Sequence, residues 1–126
     1  MELKPYFENA KGTGVLATSD AEGRVGIAIF ARPHVLDDGT VAFIMPARGT
    51  LANLQTNPHA AYLFTEDRAE GGDWAGARLY LTKVGEEQDT ERLKSLRRRT
   101  YDDDRQGRYL VIFQVDRVLP LLGSGE

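Results

Sequence analysis

Apolar and polar positions alternate in short runs along most of the chain, the period of half-buried strands, and only a few stretches follow helical spacing. Leu3, Tyr6 and Phe7 share one helical face over residues 2–9, which predicts a short amphipathic helix. Lys11, Gly12, Thr13 and Gly14 then read as a break in the backbone. Residues 15–19 and 24–31 follow as strands joined by a polar hairpin turn that ends on Gly23. In the second, Val25, Ile27, Ile29 and Ala31 alternate with Gly26, Ala28, Phe30 and Arg32. Small or apolar residues on both faces through Phe30 predict packed material on both sides. Residues 34–36 and 40–45 flank Asp37-Asp38-Gly39, a hairpin signal because Asp-Gly tolerates the positive φ of tight turns. Residues 60–65, 78–84 and 108–118 are further strands. The first two are separated by a polar, glycine-rich loop over 66–76 that holds the sole tryptophan, Trp74.

Helical spacing returns at two places. The strand over residues 40–45 breaks at Met45-Pro46. After Arg48-Gly49-Thr50 a helix is predicted over 51–56, stopped at Asn57-Pro58 because proline restricts the residue before it. Thr50 is the expected N-cap, its hydroxyl accepting from the amide of Ala52 or Asn53. The same geometry supports a second reading, since a helix N-terminus beside a guanidinium binds phosphate oxygens. Both readings stand on the residues alone. A second, longer helix is predicted over 86–99, with Glu86, Glu87, Asp89 and Glu91 first and Lys94, Arg97, Arg98 and Arg99 last, the order the helix dipole favours. Six or seven strands, one short helix between strands and one longer helix before the last strand predict a mainly β, α+β fold. The expected form is a small antiparallel barrel, as one domain over residues 1–126.

Composition narrows the chemistry. With 16 basic against 19 acidic side chains, a net charge of −3 argues against a nucleic-acid coat or an anionic-membrane binder. The absence of cysteine excludes disulfides, thiolate metal sites and cysteine nucleophiles. No apolar leader follows Met1 and no apolar run approaches a bilayer span, so a cytoplasmic protein is expected. Residues 12–17 match the string G-x-G-x-x-A, but that motif needs a strand before it and a helix after it. Here the order is reversed, and turn chemistry explains the glycines. His34 and His59 are far apart and neither has a carboxylate at helical ligand spacing, so no metal centre is predicted. Asp102-Asp103-Asp104 reads as a solvated cluster and Arg97-Arg98-Arg99 as a complement to a helix dipole. No serine lies on a nucleophile-elbow pattern.

Taken together, three segments resemble the FMN-binding split-barrel family related to pyridoxamine 5′-phosphate oxidase, in its compact members. They are Gly14-Val15-Leu16-Ala17-Thr18 with the strand after it, Asp38-Gly39-Thr40-Val41-Ala42-Phe43, and residues 50–61, whose "NL-x-x-NP-x-A" pattern is the most specific. The final strand, with residues 111–118, also fits. The resemblance implies a homodimer of six-stranded antiparallel split β-barrels, with FMN at each of two subunit interfaces. The flavin phosphate is implied to lie beside Arg48, Gly49 and Thr50, with Asn53 in the same site. The ring is implied to lie along Ile29, Phe30, Ala31 and Arg32 and along Phe43 to Met45 and Pro46. The loop carrying Trp74 is implied to close the partner's site.

Relatives often carry lysine at or just before the position of Thr50, where this chain has Gly49-Thr50, so Arg32 or Arg78 is the candidate second charge. The C-terminal extension that holds substrate-phosphate residues in the longer oxidases has no counterpart after Val118, and vitamin B6 oxidation is not expected. The cofactor carries the redox step in such a protein. Phe30, Met45 and Trp74 are candidates to pack on the ring, although ordinary core is the favoured reading of Phe30 and Met45, and a dimer-interface plug is the alternative for Trp74. Arg32, His34 and Tyr80 are unranked candidates for acid–base work. The expected activity is that of an FMN-dependent oxidoreductase or flavin reductase served by NAD(P)H or an electron-transfer protein. The alternatives are a non-catalytic electron carrier or redox-responsive binding protein, or a split barrel that takes haem or a deazaflavin.

Overall fold

A computed structural model describes residues 1–68, 70–97 and 107–123. Its strands are β1 (Gly12–Ser19), β2 (Val25–Ile29), β3 (His34–Val35), β4 (Val41–Pro46), β5 (His59–Glu66), β6 (Gly76–Gln88) and β7 (Arg108–Pro120). The helices are α1 (Leu3–Asn9), α2 (Gly49–Thr56) and α3 (Glu91–Leu96). The strands form one mainly antiparallel sheet in the order β2-β1-β5-β6-β7-β4-β3. The sheet therefore has seven strands and stays open, in place of the six-stranded barrel expected. Its two edges are β2 and β3, and β3 pairs only His34 with Ala42 and Val35 with Val41. Pro33, which cannot donate to a ladder, stands immediately before it.

The sheet curls around a core drawn from nearly every strand. Phe43 of β4 meets Tyr62 of β5 at 4.9 Å between ring centroids and Phe113 of β7 at 6.0 Å. Leu16, Met45, Leu79, Leu81 and Val111 complete this interior, while α1 adds Phe7 and α2 adds Leu51 and Leu54. Tyr6 Oη donates to Glu66 Oε2 at 2.6 Å and so fastens α1 to β5. Burial, with that carboxylate beside it, pushes the Tyr6 hydroxyl above its ordinary range. A smaller cluster on the outer face of β4 and β7 joins Ala42 and Leu110 to Leu93 of α3. Among the described residues no helix is long and apolar enough to cross a membrane.

Several sequence expectations change. Val25, Ile27 and Ile29 are 82%, 75% and 76% exposed, so β2 packs on one face only; it is an edge strand, and among the described residues nothing lies over its outer side. The helix expected over 86–99 shrinks to α3, because Glu86, Glu87 and Gln88 extend β6 and pair with Val111, Leu110 and Tyr109. Cross-strand pairing overrides the helical preference of those residues. Asp89, at φ 49°, ends the strand, and the Thr90 hydroxyl caps α3 by accepting from Leu93 N at 3.3 Å. Arg98, Arg99 and the three acids at 102–104 lie outside the described residues. Gly12 and Gly14, read as turn residues, belong to β1.

Candidate functional site

The turn between β4 and α2 is built from backbone bonds. Arg48 N donates to Pro46 O at 2.9 Å, and Arg48 O accepts from Ala52 N at 2.9 Å. Arg48, extended at φ −134° and ψ −162°, is therefore the N-cap, and no side chain caps the helix. This corrects the expectation for Thr50, which lies inside the first turn because the helix begins at Gly49. The amides of Gly49, Thr50 and Leu51 precede the first intrahelical bond and carry the positive end of the helix dipole. A Cβ added at Gly49 would meet nothing within 4 Å, so the helix start faces open space.

The helix is held in place at three points. Leu51 and Leu54 are buried. Asn53 Nδ2 donates to the buried Thr18 Oγ1 at 3.0 Å. Gln55 Nε2 donates to Glu86 Oε1 at 2.8 Å, and Lys83 Nζ reaches the same oxygen at 2.6 Å. The Lys83 ammonium, assisted by Gln55 and opposed by burial, holds the Glu86 carboxyl below the usual glutamate range.

The opposite wall depends on a close approach. Tyr62 Oη donates to Phe30 O at 3.0 Å, and Phe30 N donates to Gly14 O at 3.0 Å. A Cβ on Gly14 would stand 1.8 Å from Tyr62 Oη, so only glycine lets the hydroxyl pass under β1 to the Phe30 carbonyl.

Between these walls, at the gap left by the two sheet edges, is a cleft of about 1010 Å³. Ile29, Phe30, Ala31, Arg32, Met45, Pro46, Arg48, Gly49, Thr50 and Asn53, all singled out from the sequence, line it together. Trp74 does not line it in this chain; it is 56% exposed, with the Arg68 guanidinium 4.0 Å above its ring. Of the two candidate charges, Arg32 lines the cleft. Arg78 turns away and donates to Pro120 O at 2.8 Å and Gly123 O at 3.4 Å. Sequence reasoning missed Arg108, which reaches the cleft because β7 pairs it with Pro46. Arg32 Nε and Arg108 Nε and Nη1 are sheltered from solvent. His34 and Thr18 also line the space, as do the glycines of β1. The arrangement joins cationic groups and a helix start to an apolar stretch of Phe30, Phe43 and Met45. That combination suits an anion attached to a flat apolar ring.

No protein-family model matches the sequence, and neither does any curated protein. Solved structures do match. An FMN-binding protein from Syntrophomonas wolfei is 20% identical over 98% of this chain and 86% of its own, with a TM-score of 0.78. The haem storage protein HutZ from Vibrio cholerae is 18% identical over 94% of each chain, at a TM-score of 0.58. The flavin reductase of styrene monooxygenase from Pseudomonas putida S12 is 13% identical over 91% of this chain and 82% of its own, at 0.56. The chain shares its fold with these structures.

Proposed function

We propose that residues 1–126 act as one FMN-binding domain, a cytoplasmic oxidoreductase or flavin reductase that works as a homodimer with a cofactor site at each of two subunit interfaces. The observation that carries this reading is the cleft, where the α2 start, Arg48, Arg32 and Arg108 adjoin an apolar stretch of Phe30 and Met45. Its volume of about 1010 Å³ admits a nucleotide-sized ligand. When bound, FMN supplies the electron or hydride transfer. The chain's own residues bind and orient. The first-turn amides, the Thr50 hydroxyl and the Arg48 guanidinium hold the phosphate, with Arg32 and Arg108 supplying the charge that lysine gives in relatives. Phe30, Phe43 and Met45 keep water from the ring. Ile27 and Ile29 line the cleft yet are exposed, so a second subunit laid over β2 completes the wall. The loop carrying Trp74 reaches the partner's site in that arrangement. NAD(P)H or an electron-transfer protein serves as the redox partner.

Haem is the second reading. It is favoured by His34, an imidazole in the same cleft, and by the likeness to HutZ. The absorption spectrum separates the two, with flavin bands for the first reading and a Soret band for the second.

Replacing both Arg48 and Thr50 by alanine tests the phosphate site. FMN affinity is expected to fall at least tenfold while that of riboflavin, which lacks the phosphate, changes little. Unchanged FMN affinity would make the assignment wrong. Anaerobic bleaching by NADH or NADPH, with turnover, supports a reductase; flavin that binds without being reduced points to the carrier.

A further inference from the structure

Aromatic rings run in contact from the cleft through the core to α1. Phe30 and Phe43 line the cleft, with their ring centroids 5.8 Å apart. Phe43 meets Tyr62 at 4.9 Å, Tyr62 stacks on Phe64 at 6.4 Å, and Phe64 meets Tyr6 at 6.3 Å. Phenylalanine is far harder to oxidise than tyrosine, so the two tyrosines are the stations of this row and the phenylalanines fill the gaps. Their hydroxyls are placed differently. Tyr62, 1% exposed, donates to the Phe30 carbonyl at 3.0 Å, and a peptide carbonyl accepts a hydrogen bond without keeping the proton. Half-buried Tyr6 donates to the Glu66 carboxylate at 2.6 Å, a group that does keep it. Burial, with that bond, raises the Tyr6 hydroxyl above its ordinary range, so at neutral pH the ring carries its proton until an electron leaves. Loss of an electron turns a tyrosine into a strong acid. Oxidised Tyr62 is left as an unstable cation, whereas oxidised Tyr6 relaxes to a neutral radical beside a protonated carboxyl. That difference drives a hole from Tyr62 to Tyr6.

We propose that Tyr6 is a redox-active residue, the terminus of a path that carries a one-electron hole out of the cleft through Tyr62. This rests on the redox reading of the cleft above, whichever cofactor serves it. A strong one-electron oxidant formed in the cleft takes one electron from Tyr62 and is reduced by it. Tyr62 regains the electron from Tyr6, and the Tyr6 O–H proton passes to Glu66 Oε2. A soluble reductant of the thiol or ascorbate class then returns one electron to the Tyr6 radical, and the proton comes back from Glu66. The net change is one electron from that reductant to the oxidant, with no residue consumed. The path spares Met45, whose oxidisable thioether lines the cleft.

The test places the hole in the cleft with a label instead of a cofactor. The chain has no cysteine, and a Cβ at Gly49 meets nothing within 4 Å, so Gly49→Cys takes a ruthenium polypyridyl label at one defined place. Trp74→Phe removes the sole indole from competition. Flash oxidation of the label, followed by transient absorption and electron paramagnetic resonance, should show a tyrosyl radical that Tyr6→Phe abolishes. Tyr62→Phe and, separately, Glu66→Gln should slow its formation about tenfold or more, while circular dichroism shows the fold kept. Glu66→Gln keeps an acceptor at the same place, so it tests the proton's destination even where loss of the Tyr6 hydroxyl loosens α1. No tyrosyl radical in the labelled parent, a radical that survives Tyr6→Phe, or an unchanged rate in either other variant would overturn the inference. No FMN is present, so such a failure leaves the flavin reading standing, and titration of the unlabelled protein with FMN reads that one separately.

Discussion

Gly14→Ala places a methyl group where Tyr62 already stands. The new Cβ would lie 1.8 Å from Tyr62 Oη, 2.3 Å from its Cζ and 2.7 Å from Phe30 O. The ring is 1% exposed and is held by Phe43 at 4.9 Å and Phe64 at 6.4 Å, so it has no room to swing aside. Two effects follow. Overpacking costs about 1–3 kcal/mol. Displacing the hydroxyl strands the Phe30 carbonyl and adds about 1–3 kcal/mol. Urea unfolding followed by far-ultraviolet circular dichroism should therefore show a loss of about 2–6 kcal/mol with little change in slope. Tyr62→Phe alone removes the bond without the clash and should cost about 1–2 kcal/mol. In the Gly14→Ala background the same change should cost less, because the bond is already broken. A Gly14→Ala protein within about 0.5 kcal/mol of the parent would refute the reasoning, since a change of that size is typical of an open surface site.

Ile27→Lys, at an exposed position of β2, should leave unfolding within about 0.5 kcal/mol of the parent but convert the proposed dimer to monomer in sedimentation velocity; an unchanged dimer would move the interface elsewhere. Asn53→Ala should cost about 1 kcal/mol in thermal melts, because it leaves the buried Thr18 hydroxyl without its donor. Glu86→Gln should cost about 1 kcal/mol near neutral pH. The folded carboxyl titrates below its ordinary value of 4.5, so its contribution is complete above that pH and lost as pH falls through the folded value. The gap between parent and variant should close on acidification, and a gap that widened instead would reverse the sign of the argument.

Local signals were readable where the chain decides its own conformation. Asp-Gly at 38–39 gave a turn, Asn57-Pro58 ended a helix, and the strand–turn–helix around Arg48 formed where it was expected, along one wall of the cleft. Errors arose where a distant strand decides. Glu86 to Gln88 look like a helix N-terminus, but the long β7 arm recruits them into β6. Arg108 enters the cleft only through its pairing with Pro46, a register that nothing near Arg108 announces. Gly14 is glycine for the sake of Tyr62, forty-eight positions on, and a local reading sees only a turn former. The helix cap was one element misplaced by two residues, because the Arg48 carbonyl, rather than the Thr50 hydroxyl, makes the first contact of α2.

The central claim is that the cleft beside Arg48 holds FMN, and native mass spectrometry of the protein after incubation with FMN tests it most directly. The account predicts a dimer carrying one FMN per chain, with the flavin lost when Arg48 and Thr50 are both alanine. Protein that stays free of flavin, or that takes up haem in its place, would contradict it.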